Sequence, residues 1–341
     1  MSRAHFPEHT AIQCAACQAS LWMARVTPFQ CPLCGASQGQ PVEDMVDAPA
    51  TAFFLPPVLT SEQRIERILQ WLGRPDRLHP ETLKTEAQLS DSLERIMLPY
   101  WIFSATVSAS WRARVRYDRM STFELTALDG HHDAEERYDW KQESGQVDLG
   151  AQHSSIAAHT WLKPLYRTEL GTFTMTDITP LDTALVSGWH ALGAPLSQHQ
   201  AWQDCEDGLE KRAWLACRND HDGDLWDDES IRYTINKTAA HFALLPLYIT
   251  HYTYQNKRYP IFVNANTGAV SGGKPVLKNQ LQNRIMWKMT LPFILIMSGI
   301  CLLPLFGFGL IPLIWGAMSF QTRWKEVKKM RHDAAVRAGS D

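Results

Sequence analysis

The sequence lacks an excess of basic residues. Its 341 residues include 33 Lys and Arg against 36 Asp and Glu, and the net charge is −3. A protein that coats nucleic acid carries a strong positive field, so this balance excludes that class and leaves only local nucleic-acid contact open. The hydrophobic content of 45% is sufficient for a buried core, and the length predicts about two domains.

Motifs of common catalytic sites are also missing. The sequence has no Gly-x-Ser-x-Gly elbow and no His-Glu-x-x-His helix, and no nucleophile can be paired with a base. A near match to a phosphate-binding loop has Pro275 in place of the magnesium-binding hydroxyl, and a near match to a calcium loop begins with Arg218. Adjacent His131 and His132 would point to opposite faces of an extended segment. We therefore predict a protein that is not an enzyme, with no catalytic residues and no small-molecule substrate.

An apolar secretory segment is absent from residues 1–10, so the amino terminus is expected to stay in the cytosol. Cysteine is sparse outside residues 14–34, with only Cys205, Cys217 and Cys301 scattered along the rest of the chain. This usage is typical of metal binding in a reducing compartment rather than of a disulfide framework.

Two Cys-x-x-Cys pairs are the strongest motif present. Cys14 and Cys17 form the first pair, Cys31 and Cys34 the second, and 13 residues separate the pairs. This spacing predicts a zinc ribbon over residues 1–47, in which four thiolates hold one structural Zn²⁺. Such a closed site has no open coordination position, so the zinc is not expected to be catalytic. Zinc ribbons contact nucleic acid in some proteins and protein in others, so the motif leaves the partner open.

Residues 48–277 are predicted to form a cytosolic α+β domain. A capping box from Thr60 to Gln63 begins a helix that stops at Gly73. The segments 98–103 and 245–249 both start with Leu-Pro and continue into alternating apolar residues, which predicts two helix-to-strand units. Further helices are expected over residues 83–97, 177–200, 202–217 and 234–243, and turns over residues 255–257 and 266–268.

Residues 289–322 form a run of 34 residues without Asp, Glu, Lys, Arg or His. One membrane span needs about 20 helical residues, so the run is too long for one upright helix and barely sufficient for two. Basic residues flank both ends, and positive flanks stay cytoplasmic. We therefore predict a transmembrane helical hairpin over residues 278–322 and a basic cytosolic tail over residues 323–341. One tilted span and a buried helix pair are the alternatives.

Further motifs follow the cysteine pairs in a fixed order. They are Phe54-Leu55-Pro56, Trp71-Leu72, Leu98-Pro99-Tyr100-Trp101-Ile102-Phe103, Ile178-Thr179-Pro180-Leu181, Leu245-Pro246-Leu247-Tyr248, Tyr254-Gln255-Asn256-Lys257-Arg258-Tyr259 and residues 263–272. In this order, which covers most of residues 14–275, the sequence resembles a family of bacterial zinc-ribbon membrane proteins. Members are often labelled primosomal replication-helicase-like or TFIIB-type zinc-ribbon-containing proteins. Ser104 departs from the family, whose members tend to have an acidic residue there.

The resemblance implies an accessory protein of the bacterial inner membrane, with its soluble part facing the cytosol. It also implies association with flotillin-like or phage-shock-protein-like membrane factors. The helicase label does not fit this chain, which lacks a valid phosphate-binding loop and motor domains. The leading hypothesis is a membrane-anchored adaptor that presents the ribbon to a protein partner, with the lipid bilayer as a second partner. The alternatives are a membrane-tethered nucleic-acid-binding protein and an enzyme whose site is assembled from scattered residues.

Overall fold

The computed structural model describes residues 9–23, 28–42, 52–74, 78–118, 138–173, 175–182, 188–221, 223, 225–302 and 310–338. The strands are β1 (Thr10–Cys14), β2 (Ser20–Met23), β3 (Gly39–Pro41), β4 (Ala52–Phe54), β5 (Gln88–Leu89), β6 (Glu94–Asp118), β7 (Tyr138–Ala157), β8 (Thr179–Pro180), β9 (His190–Leu192), β10 (Leu225–Tyr254), β11 (Lys257–Asn264) and β12 (Val270–Gly272). The helices are α1 (Ser61–Leu72), α2 (Leu83–Glu86), α3 (Pro164–Leu170), α4 (Gln198–Arg218), α5 (Lys278–Leu302) and α6 (Leu310–Ala338).

The twelve described strands belong to one mixed sheet. The main path is β12-β11-β10-β6-β9-β2-β1-β3, while β7 pairs with β6, β4 and β5 pair with β10, and β8 pairs with β4. The pairs β4–β10 and β6–β9 are parallel. The fold is therefore mixed α/β with one large sheet that includes the cysteine-rich segment. The predicted α+β class, built from helix-to-strand units and a transmembrane hairpin, is wrong.

Three very long strands form the middle of the sheet. β6 has 25 residues, β7 has 20 and β10 has 30. At about 3.3 Å per residue, β6 alone is roughly 80 Å long. The two Leu-Pro segments lie side by side, because Leu98 is opposite Leu245 in the antiparallel β6–β10 pair. The internal similarity seen in the sequence thus marks two neighbouring strands.

Predicted features at the sheet's end are confirmed. The turn over residues 255–257 connects β10 to β11, and Gln255 and Asn256 both have positive φ, as a tight hairpin requires. The turn over residues 266–268 leads into β12 through Gly268, whose φ is 76°. Residues 52–54 form the short strand β4.

Two of the predicted helices are confirmed. α1 begins after Thr60, whose hydroxyl accepts from the Gln63 backbone N–H at 3.3 Å, and it is capped by Gly73. α4 includes the predicted helix over residues 202–217 and begins after Ser197, which forms a second capping box with Gln200. The buried side of α4 packs across β6, β7 and β10.

Three other helices are not formed as predicted. In the segment 83–97, α2 ends at Glu86, and the hydroxyls of Ser90 and Ser92 contact each other at 2.7 Å. Such local side-chain bonds compete with a helix, and the chain enters β5 and β6 instead. The segment 234–243 lies inside β10, where alternate residues face the core. In the described part of 177–200, only residues 198–200 at the start of α4 are α-helical, and Pro180 in β8 and Pro195 before α4 cannot continue a helix.

The predicted transmembrane hairpin is also wrong. Within the described residues, no helix carries a long enough apolar stretch to cross a membrane. The uncharged run is divided between α5, which includes residues 289–302, and α6, which includes residues 310–322. Each part falls short of the roughly 20 residues that a span needs. The predicted inner-membrane location depended on this hairpin and is therefore wrong as well.

The two carboxy-terminal helices pack against each other in antiparallel orientation. The guanidinium of Arg323 donates to the Lys288 carbonyl at 3.0 Å, and Lys288 pairs with Glu326 at the same end. Further along, a Cβ on Gly316 would lie 2.7 Å from Ile296, so glycine permits a close approach. The far end of α6 returns to the sheet, where Val336 is 3% exposed.

Candidate metal centre

The first cysteine pair lies in a tight turn between β1 and β2. The Gln18 N–H donates to the Cys14 carbonyl at 3.0 Å, and the Cys14 N–H donates to the Ala19 carbonyl at 3.0 Å. Gln18 adopts a φ of 56°, a conformation that usually favours glycine. Its side-chain amide donates to the Ala15 carbonyl at 2.8 Å, which stabilises the turn locally.

The second cysteine pair repeats this bonding pattern. The Gly35 N–H donates to the Cys31 carbonyl, and the Cys31 N–H donates to the Ala36 carbonyl, both at 2.8 Å. Gly35 has a φ of 77°, so it occupies the left-handed position that Gln18 occupies in the first turn. The two turns are therefore local copies of each other and present their thiols in the same way.

The turns bring the four sulfur atoms together. The Sγ atoms of Cys14, Cys17, Cys31 and Cys34 all lie within 4.8 Å of one another. Cys14 and Cys34 are 3.6 Å apart, and Cys17 and Cys31 are 3.8 Å apart. A tetrahedral zinc site with bonds of about 2.3 Å has sulfur–sulfur edges of about 3.8 Å. The cluster thus has the dimensions of a four-thiolate metal site.

The thiols of this cluster differ in acidity. Burial raises the pKa of Cys17 to about 11, and it also raises the pKa of Cys31. Burial opposes ionisation of Cys14 as well, but hydrogen bonds from the Cys17 and Ala16 backbone lower its pKa to about 7. At neutral pH the thiols of Cys17 and Cys31 would not ionise unaided, because burial and, to a smaller extent, the neighbouring cysteines disfavour their charged forms. A divalent cation supplies the charge that they need, and its binding releases protons.

Arg258 lies beside the second turn. A Cβ on Gly35 would be 3.3 Å from one guanidinium nitrogen of this residue, which belongs to β11. Its other terminal nitrogen donates to Nδ1 of His251 at 2.9 Å. Burial, with a smaller contribution from Arg258, lowers the pKa of His251 to about 4, so the ring is neutral and accepts this bond. The guanidinium places a positive charge beside the turn that follows Cys31 and Cys34, and no sequence motif indicated this neighbour.

A buried histidine, His159, lines a cavity next to the first cysteine turn. His159 is 3% exposed, and neither ring nitrogen has a hydrogen-bond partner among the described residues. Its ring contacts Tyr100 edge-on at 5.9 Å between centroids. The cavity that His159 lines has a volume of about 370 Å³ and is bounded on the other side by Gln18 and Ser20. Sequence reasoning missed this residue, because a single histidine between Ala158 and Thr160 carries no motif.

The near matches to other motifs have structural roles. Lys274, from the near phosphate-binding loop, is 4% exposed, and its Nζ donates to the Trp71 carbonyl at 2.8 Å. Asp220, from the near calcium loop, accepts a bond from the Trp111 indole at 2.9 Å. His131 and His132 lie outside the described residues.

Comparison with known protein families, curated proteins and solved structures finds no match for this chain. The family resemblance therefore stays a prediction. The functional argument depends on the cysteine cluster and its surroundings.

Proposed function

We propose that the four cysteines hold one structural Zn²⁺ and that the chain is a non-enzymatic adaptor, whose zinc ribbon binds a protein partner. The sulfur geometry supports the metal, since its edges of 3.6 and 3.8 Å match a tetrahedral thiolate site. Zinc suits four soft thiolates at this spacing. Four protein ligands also leave no position for a substrate, so the metal would stabilise the fold of the ribbon.

The charge of the ribbon favours protein over nucleic acid. Residues 10–23 and 28–42 contain no Asp, Glu, Lys or Arg. Nucleic-acid binding depends on cationic side chains that neutralise phosphates. The uncharged amides, hydroxyls and backbone groups of these residues are better suited to a protein surface, although Arg258 of β11 adds a cation beside the second turn.

The edge strand β3 supplies the observation that carries this proposal. It stands at the end of the sheet path and pairs with β1 on one side, while no described strand pairs with its other side. Its residues Gly39, Gln40 and Pro41 are all exposed. An exposed strand edge accepts an extended peptide by main-chain hydrogen bonds, and here the paired segment is short because Pro41 has no N–H to donate. The partner segment would therefore add to the sheet beside the metal centre.

Site-specific photo-crosslinking tests the adaptor proposal. A crosslinking amino acid replaces Gln40 on β3 in the full chain, and a matched chain carries it at Gln70, which is exposed on α1. We expect a protein adduct from position 40 that position 70 does not give. The double substitution Cys14→Ser/Cys17→Ser should abolish this adduct. Adducts to nucleic acid at position 40, or a protein adduct that survives the cysteine substitutions, would contradict the proposal.

Metal analysis tests the zinc assignment separately. The purified chain is expected to contain about one zinc per molecule and Cys31→Ser close to none, because three thiolates with one open position hold the metal weakly. Cys205→Ser is the control, since Cys205 is buried against the sheet by α4, away from the cluster. Equal zinc in Cys31→Ser and the unmodified chain would show that the cluster is not the metal site.

A further inference from the structure

A second region of the molecule has the features of a ligand site. A cleft of about 1190 Å³ lies between the end of α1, the short helix α2 and the start of α5. Its lining includes Arg74, Lys84 and Arg284. Ligand pockets typically reach about 300 to 1000 Å³, so the cleft has room for a medium-sized molecule. It shares no lining residue with the metal centre.

The charges around this cleft favour an anion. Among the described residues that line it, three side chains are cationic and one, Glu81, is a carboxylate. Within the described part of the chain, Arg74, Lys84 and Arg284 form no ion pair. The stem of Lys84 lies over Gly73, where an added Cβ would be 2.8 Å from its Cδ. The cleft therefore carries a local positive potential in a chain that is negative overall, and this attracts a ligand with more than one negative charge.

The α5 side of the cleft adds groups that recognise a planar ring. Gln280, Asn283, Arg284 and Trp287 all line it. Their spacing of three, four and seven residues places them on one face of the helix. Trp287 is 78% exposed, so one face of its indole is available for stacking. The two amides each offer a donor and an acceptor, as the edge of a nucleobase requires.

We propose that this cleft binds a nucleotide, with its phosphates on Arg74, Lys84 and Arg284 and its base on Trp287. Guanidinium and ammonium groups form strong charge-assisted bonds to phosphate, and an aromatic ring stacks on any base. The same chemistry is offered by a free nucleoside phosphate and by a unit of single-stranded nucleic acid. This site is independent of the adaptor function, because its residues belong to other elements.

Isothermal titration of the full chain with four probes tests the proposal. The probes are ADP, adenosine, inorganic pyrophosphate and a ten-residue oligothymidine. We expect ADP to bind more tightly than adenosine or pyrophosphate, because only ADP uses both the cations and the indole. If the oligonucleotide binds more tightly than ADP and its affinity falls steeply with salt, the ligand is a nucleic-acid strand. If ADP binds more tightly, the ligand is a free nucleotide.

Three substitutions locate the binding site. Arg284→Gln and Trp287→Ala should each weaken ADP binding about tenfold, the size expected for one charged hydrogen bond or one stacked base. Lys278→Gln is the matched control, since Lys278 is an exposed cation on α5 outside the cleft. It should change the affinity less than about twofold. The altered side chains are exposed, and thermal melting confirms that each variant is folded.

Three results would overturn the proposal. The first is no heat from ADP at millimolar concentration. The second is pyrophosphate binding as tightly as ADP, which would leave an anion site without base recognition. The third is equal ADP affinity in Arg284→Gln and in Lys278→Gln. Retention of ADP binding by Cys14→Ser/Cys17→Ser would support independence from the metal centre.

Discussion

Gln18 and Gly35 occupy equivalent backbone positions in the two cysteine turns, with φ values of 56° and 77°. Each residue directly follows a Cys-x-x-Cys pair, and this spacing favours a tight turn at both places. The contacts of the two residues differ, and the Cys-x-x-Cys spacing does not predict this difference. The Gln18 side chain donates to the Ala15 carbonyl, whereas the Arg258 guanidinium lies close to the position that a Cβ on Gly35 would occupy. That contact comes from β11, more than 200 residues further along the chain.

We expect Gly35→Ala to destabilise the chain by about 1–2 kcal/mol, since a Cβ is unfavourable at this φ. The new methyl would also press on Arg258, 3.3 Å away. Urea unfolding gives the free energy, and competition with a chelator should show weaker zinc retention. Gln18→Gly is the control, with an expected change below about 0.5 kcal/mol, because relief of backbone strain offsets the lost amide bond. Equal losses in both variants would contradict this explanation.

The buried ring of His159 predicts acid sensitivity. Burial, with a smaller effect from Arg167, lowers its pKa from 6.5 to about 3. Above pH 6.5 the ring is neutral in both states. As the pH falls from about 6.5 towards 3, only the unfolded chain takes up the proton, so the free energy of unfolding decreases.

Between pH 7 and pH 5, this histidine should account for a decrease of about 2 kcal/mol. His159→Phe should show a correspondingly smaller decrease in urea unfolding at the two pH values. His199→Phe, at an exposed position of α4, should keep the original decrease. Acid loss of the metal affects both chains equally and cancels in the comparison. If the two variants respond alike, His159 is not the sensitive group.

At the scale of elements, the sequence correctly predicted the helix and the hairpin that are determined by neighbouring residues. The capping box of α1 and the hairpin between β10 and β11 both depend on neighbouring residues, and both are confirmed. The segment 234–243 was predicted to be a helix because it shows the alternation of a strand only weakly. The alternation is clearer at Ile231, Tyr233 and Ile235, which precede the segment or lie at its start. The uncharged run 289–322 was predicted to span a membrane because its composition does not show where α5 ends and α6 begins. Each helix takes only part of the run and continues into charged sequence.

Helix α4 depends on one apolar stripe for its contact with the sheet. Leu209 is 1% exposed on this stripe, while Leu215 on the same helix is 53% exposed. Leu209→Ala should therefore reduce the free energy of unfolding by about 2–5 kcal/mol, through lost burial and the cavity left behind. Leu215→Ala should cost less than about 0.5 kcal/mol. Similar costs for the two substitutions in urea unfolding would show that α4 does not pack as described.

At the scale of the molecule, the cysteine-rich segment shares its core with the rest of the sheet. Leu21 of β2 belongs to the same apolar cluster as Leu98, Leu192 and Leu245. β2 pairs with β9, and β9 pairs with the start of β6. Spacing predicted the cysteine cluster, but it could not predict this shared core, since its members come from four distant segments.

Metal removal should therefore loosen more than the ribbon. We expect chelation to increase amide hydrogen exchange in β1, β2 and β9 and in the first residues of β6, because all of them pack on the same cluster. The paired far ends of β6 and β7, around Arg114 and Gln142, provide an internal control and should be unchanged. Faster exchange confined to residues 10–42 would show that the ribbon is energetically separate.

The long pairing of β6 with β10 also determines when this protein can fold. Leu98 cannot pair until Leu245, roughly 150 residues later in the chain, has been synthesised. Pairings between such distant residues make folding slow. At ribosomal rates of about 5–20 residues per second, the first strand emerges on the order of 10 s before the second. Throughout this interval β6, whose apolar residues alternate with polar ones, can pair with β7 but not with β10. The edge of β6 that faces β10 therefore stays unpaired in the nascent chain until β10 has been synthesised.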